Sequence, residues 1–259
     1  MMTEEEMRKY LYGSLEDLYE PSLLKDAEKG VQVIKEKIMA GKKIRIISDY
    51  DVDGVSSNYI LYRGLARCGA QVDYRIPDRV ADGYGINEHL IDQAYEDGVD
   101  TVITCDNGIA AAEQISYGNG LGMTFVVTDH HDVPFVEKDG VRTEQIPEAA
   151  AVINPKQEDC AYPFKNICGA VVVYKFIELL YDAFGIGRRE AQEFLEIAAM
   201  ATVCDVMILQ DENRILVKEG LRRMNETKIR GLRALIDANH LEDKKITAYH
   251  LGFILGPCI

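Results

Sequence analysis

Acidic and imidazole side chains follow three apolar runs of this sequence. Residues 44–47 lead into Ser48-Asp49-Tyr50-Asp51-Val52-Asp53-Gly54, residues 101–104 into Cys105-Asp106-Asn107-Gly108, and residues 124–128 into Asp129-His130-His131. Carboxylates held close together raise one another's pKa, and divalent cations relieve that repulsion. Mixed oxygen and imidazole donors suit Mn²⁺ or Mg²⁺ better than a structural zinc, and a pair of such ions supports hydrolysis of phosphate esters. The three motifs therefore predict a metal centre.

The apolar runs have the character of buried strands, and stretches of helical spacing lie between them. This alternation is typical of βαβ units, so we expect an α/β fold with a parallel sheet flanked by helices, followed by a mainly helical segment. The carboxyl ends of parallel strands share one edge of the sheet, where ligands bind. The three motifs should therefore meet there, although they are far apart in the sequence.

The pattern predicts the following elements. Strands are expected at 44–47, 72–76, 101–104, 124–128 and 151–153, and helices at 23–40, 54–68, 87–95, 170–184, 189–202, 212–224, 229–238 and 248–255. A short helix from Ile109 would offer backbone N–H groups beside Asp106, so that Asn107 and Gly108 could bind a substrate phosphate. Residues 134–149 are polar, contain two prolines and predict a long surface loop.

Three segments are expected along the chain: an amino-terminal helical segment (1–41), a catalytic α/β domain (42–206) and a helical segment (207–259). A structural explanation of the acids is the alternative, because a single Asp after a strand is usually a turn former or a helix cap. Three such clusters together favour the metal centre.

The 259 residues include 29 basic and 43 acidic side chains, for a net charge of -14. The molecule as a whole is therefore not expected to attract nucleic acid or an anionic membrane. Residues 212–233 hold seven basic and three acidic side chains, which fits either a strand-binding face or a solvated helix pair. Six cysteines without a C-x-x-C pair, no signal-peptide pattern and no membrane-spanning run predict reduced thiols and a cytoplasmic location.

The motifs resemble those of the DHH phosphoesterases, and within them the RecJ-like single-strand-specific exonucleases. Asp129-His130-His131 resembles the triplet that names the family, and residues 49–54, 105–109 and 201–205 resemble its first, second and fourth motifs. The RecJ branch is favoured by Pro77-Asp78-Arg79, Gly83-Tyr84-Gly85, Asn154-Pro155-Lys156, Tyr162-Pro163-Phe164-Lys165 and Glu212-Asn213-Arg214.

This resemblance implies roles for individual residues. The metal ligands would be Asp51, Asp53, Asp106, His130 and Asp205, with Asp106 bridging two ions. Asp49 and Asp129 would lie at the margin of the metal site or orient its ligands. His131 would be a catalytic residue that interacts with the phosphate or the leaving group rather than with metal. Arg79 and Lys156 would contact phosphate, with a surface ion pair as the alternative for each. Many DHH enzymes have a histidine where this chain has Ile47, so one metal site is expected to be weaker.

The resemblance further implies a 5′-to-3′ exonuclease that acts on single-stranded DNA and activates water with two divalent cations, Mn(II) or Mg(II). Replication or repair proteins would be its partners, and no membrane is involved. Two alternatives are a DHH-family hydrolase of short oligonucleotides, cyclic dinucleotides or pyrophosphate, and an inactive scaffold of a replication assembly. Residues 251–259 resemble the point from which RecJ-like proteins continue towards a DHH-associated domain, so we expect the sequence to be part of a longer protein.

Overall fold

The structure is a computed structural model that describes residues 3–80, 83 and 85–259. Its strands are β1 (Lys43–Ser48), β2 (Gln71–Arg75), β3 (Thr101–Cys105), β4 (Thr124–Thr128), β5 (Phe135–Lys138), β6 (Val141–Glu144) and β7 (Ala151–Ile153). Five of them form a parallel sheet in the order β2-β1-β3-β4-β7, and β5 and β6 form a separate antiparallel pair. The predicted parallel sheet is confirmed.

Helices pack on both faces of this sheet. They are α1 (Glu4–Tyr12), α2 (Ala27–Met39), α3 (Val52–Arg67), α4 (Glu88–Glu96), α5 (Ala112–Gly120), α6 (Gly169–Ala183), α7 (Leu195–Cys204), α8 (Asp211–Met224), α9 (Arg230–Ala238) and α10 (Ala248–His250). One core joins α2, α3, α6 and α7 to side chains such as Ile46 and Val126, and the other joins α4 and α5 to their strand neighbours Ile47 and Val127. Successive strand side chains thus pack into opposite cores. Both faces of the sheet are buried, which is why the strands are apolar throughout.

The predicted strands at 124–128 and 151–153 agree with β4 and β7, and the other predicted strands agree within a residue or two. The helix expected at 189–202 begins instead as a 3₁₀ helix (Arg188–Phe194), and the one expected at 248–255 continues beyond α10 as a π-helical turn (Leu251–Leu255). The segment boundaries at 41/42 and 206/207 stay predictions.

The loop expected at 134–149 is wrong in part, because it contains the β5–β6 hairpin. Asp139 and Gly140 connect the two strands, and both have positive φ angles, 54° and 77°. An Asp-Gly pair favours this type of two-residue hairpin turn, so the signal was present in the sequence.

The helix expected from Ile109 begins only at Ala112. The backbone N–H of Ile109 donates to Asp129 Oδ2 at 2.9 Å, and the preceding Gly108 has a φ of 111° that a helix does not allow. The start of α5 therefore does not lie directly after Asp106.

All six cysteines are free thiols. None of the helices in the described part of the chain combines the length and apolarity needed to cross a bilayer.

Candidate metal centre

The turn between β1 and α3 carries the carboxylates of Asp49, Asp51 and Asp53. Asp51 is the N-cap of α3, and its Oδ1 accepts a hydrogen bond from the backbone N–H of Gly54 at 2.9 Å. A Cβ on residue 54 would lie 2.4 Å from the carbonyl oxygen of Asp49, so this position requires glycine. The local sequence thus forms a tight turn that holds three acids at the carboxyl end of β1.

The amino terminus of α6 meets this turn. Asp53 accepts hydrogen bonds from the backbone N–H groups of Gly169 at 2.6 Å and Ala170 at 2.8 Å. A Cβ on Gly169 would lie 2.9 Å from the Cβ and Oδ1 atoms of Asp106, so the close approach of α6 depends on this glycine. The sequence does not identify Gly169 or Ala170 as site residues, because no local pattern pairs them with an acid so far away in the chain.

Asp106 lies directly after β3 in the left-handed region, with a φ of 59°. Its backbone N–H donates to the carbonyl oxygen of Thr128 at the end of β4, at 3.0 Å. The residue is buried, and burial followed by the negative charge of Asp53 raises the pKa of its carboxyl. A non-glycine residue in this conformation is strained, and such strain is common at functional sites.

Asp129 is an anchor for the segment after β4. Its Oδ2 accepts from Ile109 N–H, while its Oδ1 accepts from the backbone N–H groups of His130 and His131 and lies 2.8 Å from His131 Nδ1. Burial alone would raise the pKa of Asp129, but these hydrogen bonds hold it below its usual value. Asp129 therefore orients the two histidines, and the bond to Asp129 raises the pKa of His131.

The Nε2 atom of His130 is surrounded by carboxylates. It lies 3.1 Å from Asp106 Oδ1, 3.5 Å from Asp53 Oδ2 and 3.6 Å from Asp205 Oδ2. Burial lowers the pKa of His130, which favours the neutral imidazole that binds metal ions. The three motifs after the strands and the acid at the end of α7 therefore meet at one place.

Three other acids in the cluster, Asp53, Asp205 and Asp49, have raised pKa values, and burial is the main cause at Asp53. Burial, with the charges of Asp53 and Asp51, raises the pKa of Asp205 to about 7, and burial with the charge of Asp51 raises that of Asp49 to about 6. Asp205 is the residue that ends α7. Its Oδ2 and the Oδ1 of Asp49 are buried oxygens that accept no hydrogen bond from the residues the structure describes.

Three overlapping groups of side chains could each hold a metal ion, with ligand atoms within 4.8 Å of one another. They are Asp49, Asp51 and Asp106; Asp53, His130 and Asp205; and Asp106, His130 and His131. Asp106 belongs to two of the three groups, and His130 also belongs to two. Carboxylate and imidazole donors of this kind suit Mn²⁺ or Mg²⁺. The buried oxygens of Asp49 and Asp205 fit the same interpretation, because a cation would give them a partner.

The four residues predicted to bind substrate phosphate differ in their surroundings. Arg79 is exposed, with its guanidinium 4.6 Å from the centre of the Tyr50 ring. Lys156 Nζ lies 2.9 Å from Asp132 Oδ1, and its charge also acts on His130 and Asp205. Asn107 is buried and donates to the carbonyl oxygens of Ile47 and Cys105, while Gly108 packs against Thr104. Tyr84, which was part of one motif, lies outside the described residues.

Three of the seven basic residues of segment 212–233 pair with an acid of their own helix. Arg222 and Arg223 both contact Glu219, at 2.7 Å and 2.8 Å, and Arg233 contacts Asp237 at 3.2 Å. These contacts favour the solvated helix pair over a strand-binding face for these three arginines.

Residues 43–202 match the DHH family, N-terminal domain, and the chain belongs to this family. It is similar to the single-stranded-DNA-specific exonuclease RecJ of Bacillus subtilis (34% identity over 98% of this chain) and to that of Escherichia coli (32% over 90%). The matches cover 30% and 41% of those relatives, so the chain spans less than half of their length.

Solved structures give the same result. A crystal structure of exonuclease RecJ bound to manganese has a TM-score of 0.77 and 30% identity, covering 90% of this chain and 56% of the other. The Mn²⁺ complex of RecJ from Thermus thermophilus has a TM-score of 0.73 and 29% identity, covering 90% of this chain and 32% of the other. The resemblance read from the motifs is thereby confirmed.

Proposed function

We propose that the chain is the catalytic part of a RecJ-like exonuclease that hydrolyses single-stranded DNA from its 5′ end with two divalent cations. The observation that carries this proposal is the meeting of five carboxylates and two histidines at the carboxyl edge of the sheet. The names of the similar proteins support the substrate, and the manganese in two of their structures supports the cofactor.

The donors form two groups that suit two ions. Asp53, His130 and Asp205 would hold one, Asp49 and Asp51 would hold the other, and Asp106 would lie between them. When bound, two such cations lower the pKa of a water molecule and offset negative charge on the scissile phosphate. Asp49 is thus proposed as a ligand, whereas the sequence predicts it at the margin of the metal site or as a residue that orients the ligands.

His131 is proposed to donate a hydrogen bond to the phosphate or the leaving oxygen. Its Nδ1 lies 2.8 Å from Asp129 Oδ1, and 45% of the side chain is exposed. Asp129 fixes the orientation of the ring through that contact. Lys156 and Arg79 are proposed to contact neighbouring phosphates, since their charges act on acids of the site.

A hydrolase of cyclic dinucleotides or pyrophosphate is less well supported, because the histidine common in those enzymes is replaced by Ile47. This side chain is fully buried in the core beside α4 and α5 and offers no donor to a metal. Comparing turnover of a long oligomer, a dinucleotide and pyrophosphate separates the two functions. The proposal requires that the long oligomer be preferred.

The direct test uses single-stranded DNA labelled at either end and incubated with Mn²⁺. The proposal predicts loss of mononucleotides from the 5′ end in wild type and none in Asp106→Asn. A matched control is Asp92→Asn, which changes an exposed acid on α4 that accepts a hydrogen bond from Tyr117. Equal activity in all three proteins, or no dependence on the cation, would refute the proposal.

A further inference from the structure

The β5–β6 hairpin stands beside the candidate metal centre. It begins four residues after His131, a distance of at most about 14 Å along an extended chain. With Asp132, Lys156 and Glu158 it lines an open cavity of about 820 Å³. Glu144 Oε1 accepts from the backbone N–H of Glu158 at 3.0 Å, which ties the hairpin to the segment after β7. The cavity and the metal centre are therefore neighbours.

One face of the hairpin carries a stacked pair. In the antiparallel register Phe135 is opposite Glu144 and Glu137 is opposite Arg142, so all four side chains lie on the same face. The guanidinium of Arg142 lies 3.4 Å from the centre of the Phe135 ring, while Phe135 remains 45% exposed. A planar cation on an open aromatic ring forms a flat surface that a third planar group can extend.

Lys156 connects this surface to the metal centre. Its ammonium group lies 2.9 Å from Asp132 Oδ1, lines the same cavity, and acts electrostatically on His130 and Asp205. A phosphate held by Lys156 would therefore lie between the metal centre and the stacked pair.

The charges of the cavity select the kind of group that would enter it. Asp132, Glu144 and Glu158 contribute three carboxylates against two cations, Arg142 and Lys156. A row of phosphates would be repelled by this lining, whereas a neutral aromatic base would not. Aromatic and guanidinium groups are also the surfaces on which unpaired bases stack with little dependence on sequence.

We infer that Phe135 and Arg142 form a stacking platform for a nucleobase of the strand whose phosphodiester lies at the metal centre. The inference rests on the proposed function and adds a substrate-binding site to it. Because the bases of a duplex are already stacked on one another, only an unpaired strand can use the platform. The hairpin thus contributes to a preference for single strands.

The test is binding of a fluorescein-labelled single-stranded 12-mer, followed by anisotropy with Ca²⁺ as the cation. Phe135→Ala and Arg142→Ala should each raise the Kd about tenfold, in line with the usual worth of one stacked base. Phe135→Trp should keep the wild-type Kd, because the indole ring can stack in the same place. Lys138→Ala is the matched control, since Lys138 is a cation of the same hairpin on its opposite face.

A second probe separates stacking from other effects. An abasic strand of the same length offers phosphates but no bases, so Phe135→Ala should bind it as wild type does. The inference is overturned if Phe135→Ala and Lys138→Ala bind the normal 12-mer equally, or if Phe135→Ala weakens the abasic strand just as much. Mn²⁺-dependent hydrolysis of the same 12-mer by wild type tests the proposed function separately. Its absence would refute the proposed function, whereas an unchanged Kd in Phe135→Ala would refute only the platform.

Discussion

The two halves of β1 present buried charge in opposite ways. In its amino-terminal half, Arg45 is 1% exposed and its guanidinium contacts Asp73 at 2.7 Å and 2.8 Å and Asp97 at 2.7 Å. At its carboxyl end the strand runs into Asp49 and the acids around it, which meet imidazoles. The pKa of Asp73 is lowered by Arg45 although burial opposes this, whereas that of Asp49 is raised to about 6.

This difference shows how to tell a structural charge cluster from a binding site. Beside Asp73 and Asp97 the chain itself supplies the cation, so the carboxylates are stabilised as anions in the folded protein. Around Asp49 and Asp205 burial and like charges work against ionisation, and one oxygen of each accepts no hydrogen bond from the described part of the chain. A cation from outside the chain would make the second cluster resemble the first.

Replacing Asp106, the acid proposed to lie between the two ions, should reduce activity more than any other change considered below. Asp106→Asn keeps the shape of the side chain but loses the charge, so Mn²⁺-dependent hydrolysis of single-stranded DNA should fall by more than about 100-fold.

Without metal the Asp106→Asn variant should unfold at a higher temperature than wild type, because wild type must bury a carboxyl whose pKa is raised. Thermal unfolding in EDTA checks this, and a lower unfolding temperature would contradict it.

The stabilisation given by Mn²⁺ should increase with pH. Since the folded-state pKa values of Asp49 and Asp205 are raised to about 6 and about 7, the metal-free fold binds extra protons and loses stability as the pH rises from near 4 through 7. Bound cations keep these groups ionised and remove that loss. Urea unfolding with EDTA and with saturating Mn²⁺ should show a difference larger by about 3 kcal/mol at about pH 8 than at about pH 5. A difference that is independent of pH would contradict the prediction.

Changes in the cluster of Arg45, Asp73 and Asp97 should affect the stability of the fold without affecting metal binding. Arg45→Met leaves Asp73 without its buried cation and should lower the free energy of unfolding by about 2 kcal/mol. Its control is Arg75→Met, an exposed arginine whose guanidinium lies 3.8 Å from Asp97. Both variants should bind Mn²⁺ as wild type does. Equal unfolding free energies, or a weakened metal site in Arg45→Met alone, would remove the distinction between the two clusters.

The smallest effect concerns strain beside the metal centre. Val206 follows α7 in the left-handed region with a φ of 55° and is 87% exposed, and Met207 N–H bonds to Thr202 O in the manner of a Schellman motif. Val206→Gly should therefore stabilise the protein, by less than about 1 kcal/mol. Val80→Gly is the control, because Val80 is 94% exposed without a positive φ. Chemical denaturation measures both, and an equal gain in the control would contradict the explanation.

The sequence was sufficient for the sheet and for the meeting of the motifs, because both follow from apolar runs that end in acids. It was insufficient where a distant group competes for a local hydrogen bond. Asp129 takes the N–H of Ile109 and delays the start of α5, and Asp53 takes the N–H groups at the start of α6. The Asp139-Gly140 turn shows a different reason, since its local signal was outweighed by the polar residues and prolines around it.

Calorimetric titration of the metal-free protein with Mn²⁺ shows directly whether the acids and histidines at the sheet edge bind metal ions. We expect two ions per chain, proton release on binding because Asp49 and Asp205 must ionise, and loss of at least one ion in Asp106→Asn but not in Asp92→Asn. Absence of binding, or equal binding in wild type and Asp106→Asn, would contradict it.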